Sequence, residues 1–121
     1  MSQEPPSGGY YLDAIFTSIR AFAQELEASR RWLARAEATE NQAWRLSFLR
    51  AAREAYERTP ARLAAVAERL AALGSVDSLP APLDRIHENL ATMRADLADH
   101  EARLLRTEAR EAQAAAPIGR A

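Results

Sequence analysis

The stretch LDRIHENLATMRADLADHEARLL, residues 83–105, decides the fold class of this chain. Its large side chains recur at alternating spacings of three and four residues, which is the pattern of one face of an α-helix. The stripe consists of Leu83, Ile86, Leu90, Met93, Leu97, His100 and Leu104. It predicts a long amphipathic helix over about residues 82–112, with a histidine in place of one core residue.

A second helical stripe occupies the N-terminal part of the chain. Leu12, Ile19, Leu26 and Leu33 stand seven residues apart, as in a coiled-coil seam. We predict a helix over about residues 11–38 from this spacing. Ser29 interrupts the stripe with a small polar side chain.

The middle of the chain predicts two shorter helices, at about 40–58 and 60–73. The sequence TENQ, residues 39–42, matches a capping box, so a new helix can start after Thr39. One unbroken helix over 11–58 is the competing interpretation. Pro60 lacks a backbone donor and follows Thr59, which favours a joint there.

Three rods of similar length result if the two middle helices are taken together. The predicted fold is therefore all-α, an elongated antiparallel three-helix bundle with coiled-coil-like seams and a middle rod jointed at Pro60. We expect a flexible tail at 1–9, a single helical domain at 10–112 and a second flexible tail at 113–121. The stretch GSVDSLPAP, residues 74–82, is the one clear loop signal.

Composition agrees with long helices but limits the core. Alanine, glutamate, leucine and arginine make up 70 of the 121 residues, and 28 of these are alanine. Sixteen basic residues, all arginine, nearly balance seventeen acidic ones. We attribute the use of arginine without lysine to a GC-rich genome rather than to sixteen separate requirements for a guanidinium. Cysteine is absent, and no run of apolar residues is long enough for a membrane span. We expect a cytoplasmic protein with a thin core.

Segment 44–56 has apolar residues on two sides of its helix, so both sides are expected to pack against another helix or a partner. The neutral interpretation is that both are internal to the bundle. Our favoured hypothesis is a protein–protein interface, with the protein itself or a larger complex as the partner, because aromatic and arginine side chains concentrate binding energy. The predicted interface residues are Trp32, Leu46, Leu49, Tyr56, Phe16 and Phe22.

Nucleic acid is the alternative partner. Arginines interleaved with tryptophans in segment 30–53 could contact phosphates and stack on bases. The candidate contacts are Arg30, Arg31, Arg35 and Arg45, with Trp32 for stacking. Glutamates dilute this charge, several of them four residues from an arginine as on a solvated helix face.

The sequence offers no components of a catalytic site, and we expect no enzyme activity, no cofactor and no metal. There is no cysteine nucleophile and no glycine-rich phosphate loop. His87 and His100 are thirteen residues apart, so on one helix they point in different directions and cannot share an ion. The position of His100 in the leucine stripe instead indicates a half-buried polar residue. We expect protonation of His100 to loosen the packing along that stripe.

Overall fold

The computed structural model describes residues 8–73 and 80–115 and contains three long helices. These are α1 (Gly8–Ala38), α2 (Gln42–Leu73) and α3 (Pro80–Ala115). They confirm the predicted all-α three-helix bundle. At 1.5 Å of rise per residue they are roughly 45 to 55 Å long, so the bundle is elongated.

Ion pairs between helices define the directions of the rods. Arg58 of α2 pairs with Glu25 of α1, whereas Arg45 pairs with Glu111 of α3. Arg69, near the end of α2, also donates to Ala14 O, so late residues of α2 meet the first half of α1 and early residues of α2 meet the end of α3. Consecutive helices are antiparallel, and α1 and α3 run in the same direction.

The turn between α1 and α2 confirms the predicted break but moves its cap. Residues 39–41 are not helical, and the Asn41 Oδ1 accepts a hydrogen bond from the Trp44 backbone amide at 3.0 Å. Asn41, not Thr39, is therefore the N-cap of α2. Thr39 lies three residues before α2 begins, and its amide donates to Arg35 O at 3.1 Å, so it belongs to the end of α1.

Helix α2 continues through Pro60, where two helices over 40–58 and 60–73 were expected. A residue at position 60 would normally donate its amide to the carbonyl of Tyr56, and proline has no such donor. The hydroxyl of Thr59 donates to Tyr56 O instead, at 2.6 Å. Thr59 is fully buried, so this side chain replaces the missing backbone bond inside the protein.

Thr59→Val is expected to lower the free energy of unfolding by about 1–2 kcal/mol, because it leaves the Tyr56 carbonyl without its substitute donor. Valine keeps the shape and β-branching of threonine. In a Pro60→Ala background a backbone amide returns, so the same change should cost almost nothing. Urea unfolding of the four proteins gives the coupling. Equal costs in both backgrounds would show that Thr59 does not substitute for the proline.

The core is divided into two apolar clusters along the bundle. The first joins the start of α1, the end of α2 and the start of α3, and contains Ile15, Phe22, Leu26, Val66, Leu70, Ile86, Leu90, Met93 and Leu97. The second lies towards the 39–41 turn and contains Leu33, Ala36, Leu49, Ala52 and Leu104. Tyr56 packs against both. Two of the five residues of the second cluster are alanine, which brings the helices close but supplies little apolar area.

The ends of the helices extend beyond the predicted domain. Helix α1 begins two residues inside the expected N-terminal tail, and α3 ends three residues inside the C-terminal one. The last turns of α3 pack on α2, because Glu108 pairs with Arg53 and Glu111 with Arg45. The remaining tail predictions and most of the predicted loop, residues 74–79, lie outside the described residues.

Candidate interaction surface

A row of three aromatic rings joins α1 to α2, beside the 39–41 turn. The ring centroid of Phe48 lies 5.7 Å from that of Trp32 and 5.9 Å from that of Trp44. Both pairs are stacked, with interplanar angles of 24° and 28°. We call Trp32, Phe48 and Trp44 the aromatic surface. The guanidinium of Arg35 lies 5.0 Å from the Trp32 ring centroid and extends the row.

The aromatic surface is open to solvent at one end. Trp44 is 58% exposed, more than any other large hydrophobic residue for which burial is described, whereas Trp32 and Phe48 are half-buried. An indole that stays in water does not gain the free energy that burial of its large apolar area would provide. Stacking on Phe48 fixes the orientation of the Trp44 ring, so it is held in place in the absence of any partner.

The hairpin register explains why these rings meet. Residues 32 and 48 are equally far along the chain from Glu40, at the centre of the turn, so an antiparallel hairpin places them opposite each other. The bond from Ser29 Oγ to Ala52 O, at 2.7 Å, joins the two helices one turn further from the 39–41 turn. The aromatic surface is therefore a consequence of where α1 ends and α2 begins.

An ion pair anchors the turn next to the aromatic surface. Arg45 binds the Glu111 carboxylate with two nitrogens, at 2.9 and 3.2 Å, and a third nitrogen donates to Glu40 O at 2.6 Å. Glu111 is only 9% exposed. Bidentate pairing with a partly desolvated carboxylate is the strong form of this interaction. It ties the turn to the end of α3 and so fixes the position of Trp44, the neighbouring residue.

The six predicted interface residues do not form one surface. Phe22 and Leu49 are buried in the first and second clusters, and Tyr56 is half-buried between them. These three belong to internal packing. Phe16 is 47% exposed in the N-terminal half of α1, and Leu46 is 44% exposed.

Leu46 also lies away from Trp32. It lines a groove between α2 and α3, together with Arg50, Arg53 and Glu108. Leu46 and Trp44 are two residues apart, which is about 200° around a helix, so they face opposite sides of α2. Trp32 is the one predicted interface residue in the aromatic surface.

The four arginines proposed for nucleic acid have different surroundings. Arg45 is bound by Glu111 and by carbonyls of the turn. Arg31 pairs with Glu27 on the exposed side of α1. Arg35 lies over Trp32, and the half-buried Arg30 lies close enough to His100 to affect its pKa. Arg35 adds positive charge directly to the aromatic surface, and Arg31 lines a pocket beside Trp32.

Sequence patterns missed Trp44 and Phe48 as members of this surface. Both fall on the stripe of Ile19 if α1 and α2 are projected as one helix, which assigns them to the core. The break at 39–41 removes that projection. A hairpin centred on Glu40 predicts the pairing of Trp32 with Phe48, so the usable signal was the turn rather than the periodicity.

In the described part of the chain, no three His, Cys, Asp or Glu side chains converge as a metal ion would require. No described helix carries an apolar stretch long enough to cross a membrane. Comparison with known proteins finds no matching family model, no similar curated protein and no similar solved structure.

Proposed function

We propose that this chain is a non-enzymatic, cytoplasmic protein–protein interaction module, self-associating or acting as a small adaptor subunit of a larger assembly. The observation that carries the proposal is the aromatic surface, with Trp44 58% exposed. Tryptophan, tyrosine and arginine are the residues most enriched among those that dominate binding energy. Here two tryptophans and an arginine stand in one stacked row.

Rigidity of the row supports binding rather than incidental exposure. Ordering flexible side chains at an interface costs about 0.5–1.5 kcal/mol each. Stacking on Phe48 and anchoring of the turn by Arg45 order Trp44 within the free protein. A partner then gains the apolar contact without that cost. A thin core adds a reason for association, because a partner covers apolar area that the bundle leaves open.

Self-association is the form of the proposal that can be tested directly. Light scattering over a wide range of concentrations is expected to show a reversible oligomer for the parent. Trp44→Ser should raise the dissociation constant by at least about 30-fold, as expected for loss of a residue that contributes about 2 kcal/mol or more. Leu105→Ser is the matched control, since Leu105 is 50% exposed on α3, outside the aromatic surface.

The outcomes separate cleanly. A parent that stays monomeric at every concentration would refute self-association. An oligomer weakened equally by the Trp44 and Leu105 substitutions would show that the aromatic surface is not its interface. Circular dichroism and urea unfolding of both variants establish that the comparison is between folded proteins.

The alternative is a nucleic-acid-associated helical subunit that uses the Arg/Trp segment 30–53. An exposed Trp44 with Arg35 over the neighbouring indole favours it, because bases stack on such rings. The pairing of Arg45 with Glu111 counts against nucleic-acid binding, because that guanidinium is already bound to a carboxylate. Salt discriminates between the two: binding to phosphates weakens steeply from about 50 to 200 mM salt, whereas an apolar interface responds little. Quenching of tryptophan fluorescence by a single-stranded oligonucleotide at both concentrations measures this.

A further inference from the structure

A buried polar contact joins all three helices between the two apolar clusters. Ser29 of α1 is fully buried, and its hydroxyl donates to Ala52 O of α2 at 2.7 Å. His100 of α3 is 3% exposed, and its Nε2 lies 2.7 Å from the same Ser29 oxygen. Among the hydrogen bonds of the described residues, no other α1 side chain connects to both neighbouring helices.

The donors and acceptors around Ser29 determine the tautomer of His100. A serine hydroxyl has one proton, and the Ala52 carbonyl can only accept. The Ser29 proton is therefore committed to that carbonyl, and its oxygen must accept from Nε2–H of His100. Neutral His100 then carries its proton on Nε2, and acid adds the second proton at Nδ1.

We propose that the Ser29–His100 contact is a pH-sensitive lock that holds the central turns of α3 on the α1–α2 hairpin, and that protonation of His100 releases them. The imidazolium would place a charge between the two apolar clusters, where a buried charge is costly unless it is paired. Ser29, which accepts the hydrogen bond from His100, carries no negative charge, and neither does the Ala52 carbonyl to which Ser29 donates. The released segment is α3, because the bond from Ser29 to Ala52 O remains and keeps the hairpin joined.

The charged groups around His100 favour its neutral form. Burial lowers the pKa of His100 below its ordinary value, Arg30 of α1 and Arg103 of α3 lower it further, and Glu37 of α1 opposes them. Glu37 is itself paired with Arg103. From α2, the nearest titratable ring is Tyr56, with its centroid 6.4 Å from that of His100. Burial is the main cause that raises the pKa of Tyr56, and a hydrogen bond to Glu101 raises it further. Tyr56 therefore stays neutral over the pH range in which histidine titrates.

The sign of the pH effect follows from linkage. The opened state binds a proton with the ordinary histidine pKa of 6.5, whereas the closed state binds it less readily. Protons therefore favour the opened state, and the contact loses stability as pH falls below about 6.5. At pH 5.5 the population of the opened state can rise by at most about tenfold, the limit set by the ordinary pKa of histidine.

Hydrogen exchange of the full chain at pH 7.5 and 5.5, corrected for the intrinsic pH dependence of exchange, tests the lock. Central amides of α3 are expected to lose protection several-fold on acidification, while those of α1 and α2 that flank Ser29 and Ala52 keep theirs. His100→Gln retains a donor near the Nε2 position without a titrating group and should remove the loss. His87→Gln, at the exposed and only other histidine, should leave it unchanged.

A measurement on the parent alone provides a second test. Nitrogen chemical shifts of His100 should report Nε2–H at pH 7.5 and, as pH falls, protonation at Nδ1 in step with the loss of α3 protection. Equal loss of protection across all three helices would overturn the proposal in favour of global unfolding. An unchanged pH response in the His100→Gln variant would overturn it as well.

Discussion

Replacing Leu104 with alanine is expected to lower the free energy of unfolding by about 3–4 kcal/mol, within the usual range for a buried leucine. Leu104 is fully buried in the second cluster, where two of the other four members are already alanine. Alanines cannot move into a cavity by changing rotamer, so the space left by the leucine stays open. Because a domain has only about 5–15 kcal/mol of stability, a large part of it should be lost. Urea unfolding at equilibrium measures the change.

Leu105→Ala is the matched control for this prediction. It makes the same substitution one residue further along the same helix, with the same change in helix propensity. Leu105 is 50% exposed, and its truncation should change stability by less than about 0.5 kcal/mol. Similar losses at both positions would mean that the second cluster is not where the structure places it.

Replacing Arg45 with methionine is expected to lower the free energy of unfolding by about 2–3 kcal/mol. The Glu111 carboxylate, 11% exposed in its side chain, would lose its bidentate partner, and the carbonyl of Glu40 would lose a donor. Removing one partner of a desolvated pair costs more than the pair contributes, because it leaves an uncompensated charge. The side chain of Arg45 is 26% exposed, which places the loss below that of a fully buried pair.

The double variant Arg45→Met/Glu111→Met separates pairing from packing. Removing both charges should recover most of the loss, since a desolvated pair contributes little over apolar side chains of similar size. Arg50→Met is the control on the same helix, at an exposed arginine beside α3 for which the described residues provide no ion pair. If the double variant is as unstable as Arg45→Met, then the apolar stem of Arg45, rather than its charge, stabilises the end of the bundle at the 39–41 turn.

The sequence-based prediction and the structure agree most fully on which residues of α3 are buried. Its alternating stripe predicted a long helix with a histidine in the seam, and the structure buries Ile86, Leu90, Leu97 and Leu104 along that stripe with His100 among them. Ser29, the interruption of the first stripe, turned out to be the partner of His100. Both positions were visible as exceptions to the pattern, although their pairing was not.

The sequence by itself determined the helices, because the spacing of apolar residues depends only on the geometry of one helix and is local. It also located the turn after α1, through short polar residues that compete for backbone hydrogen bonds. Only the tertiary structure decided which faces were covered. Trp44 is exposed, Leu49 is buried and Arg45 reaches Glu111 because of how far α2 turns relative to α1 and α3, and that rotation depends on contacts between residues more than sixty positions apart. Periodicity shows that a helix has an apolar side, but the partner of that side is set by packing across the bundle.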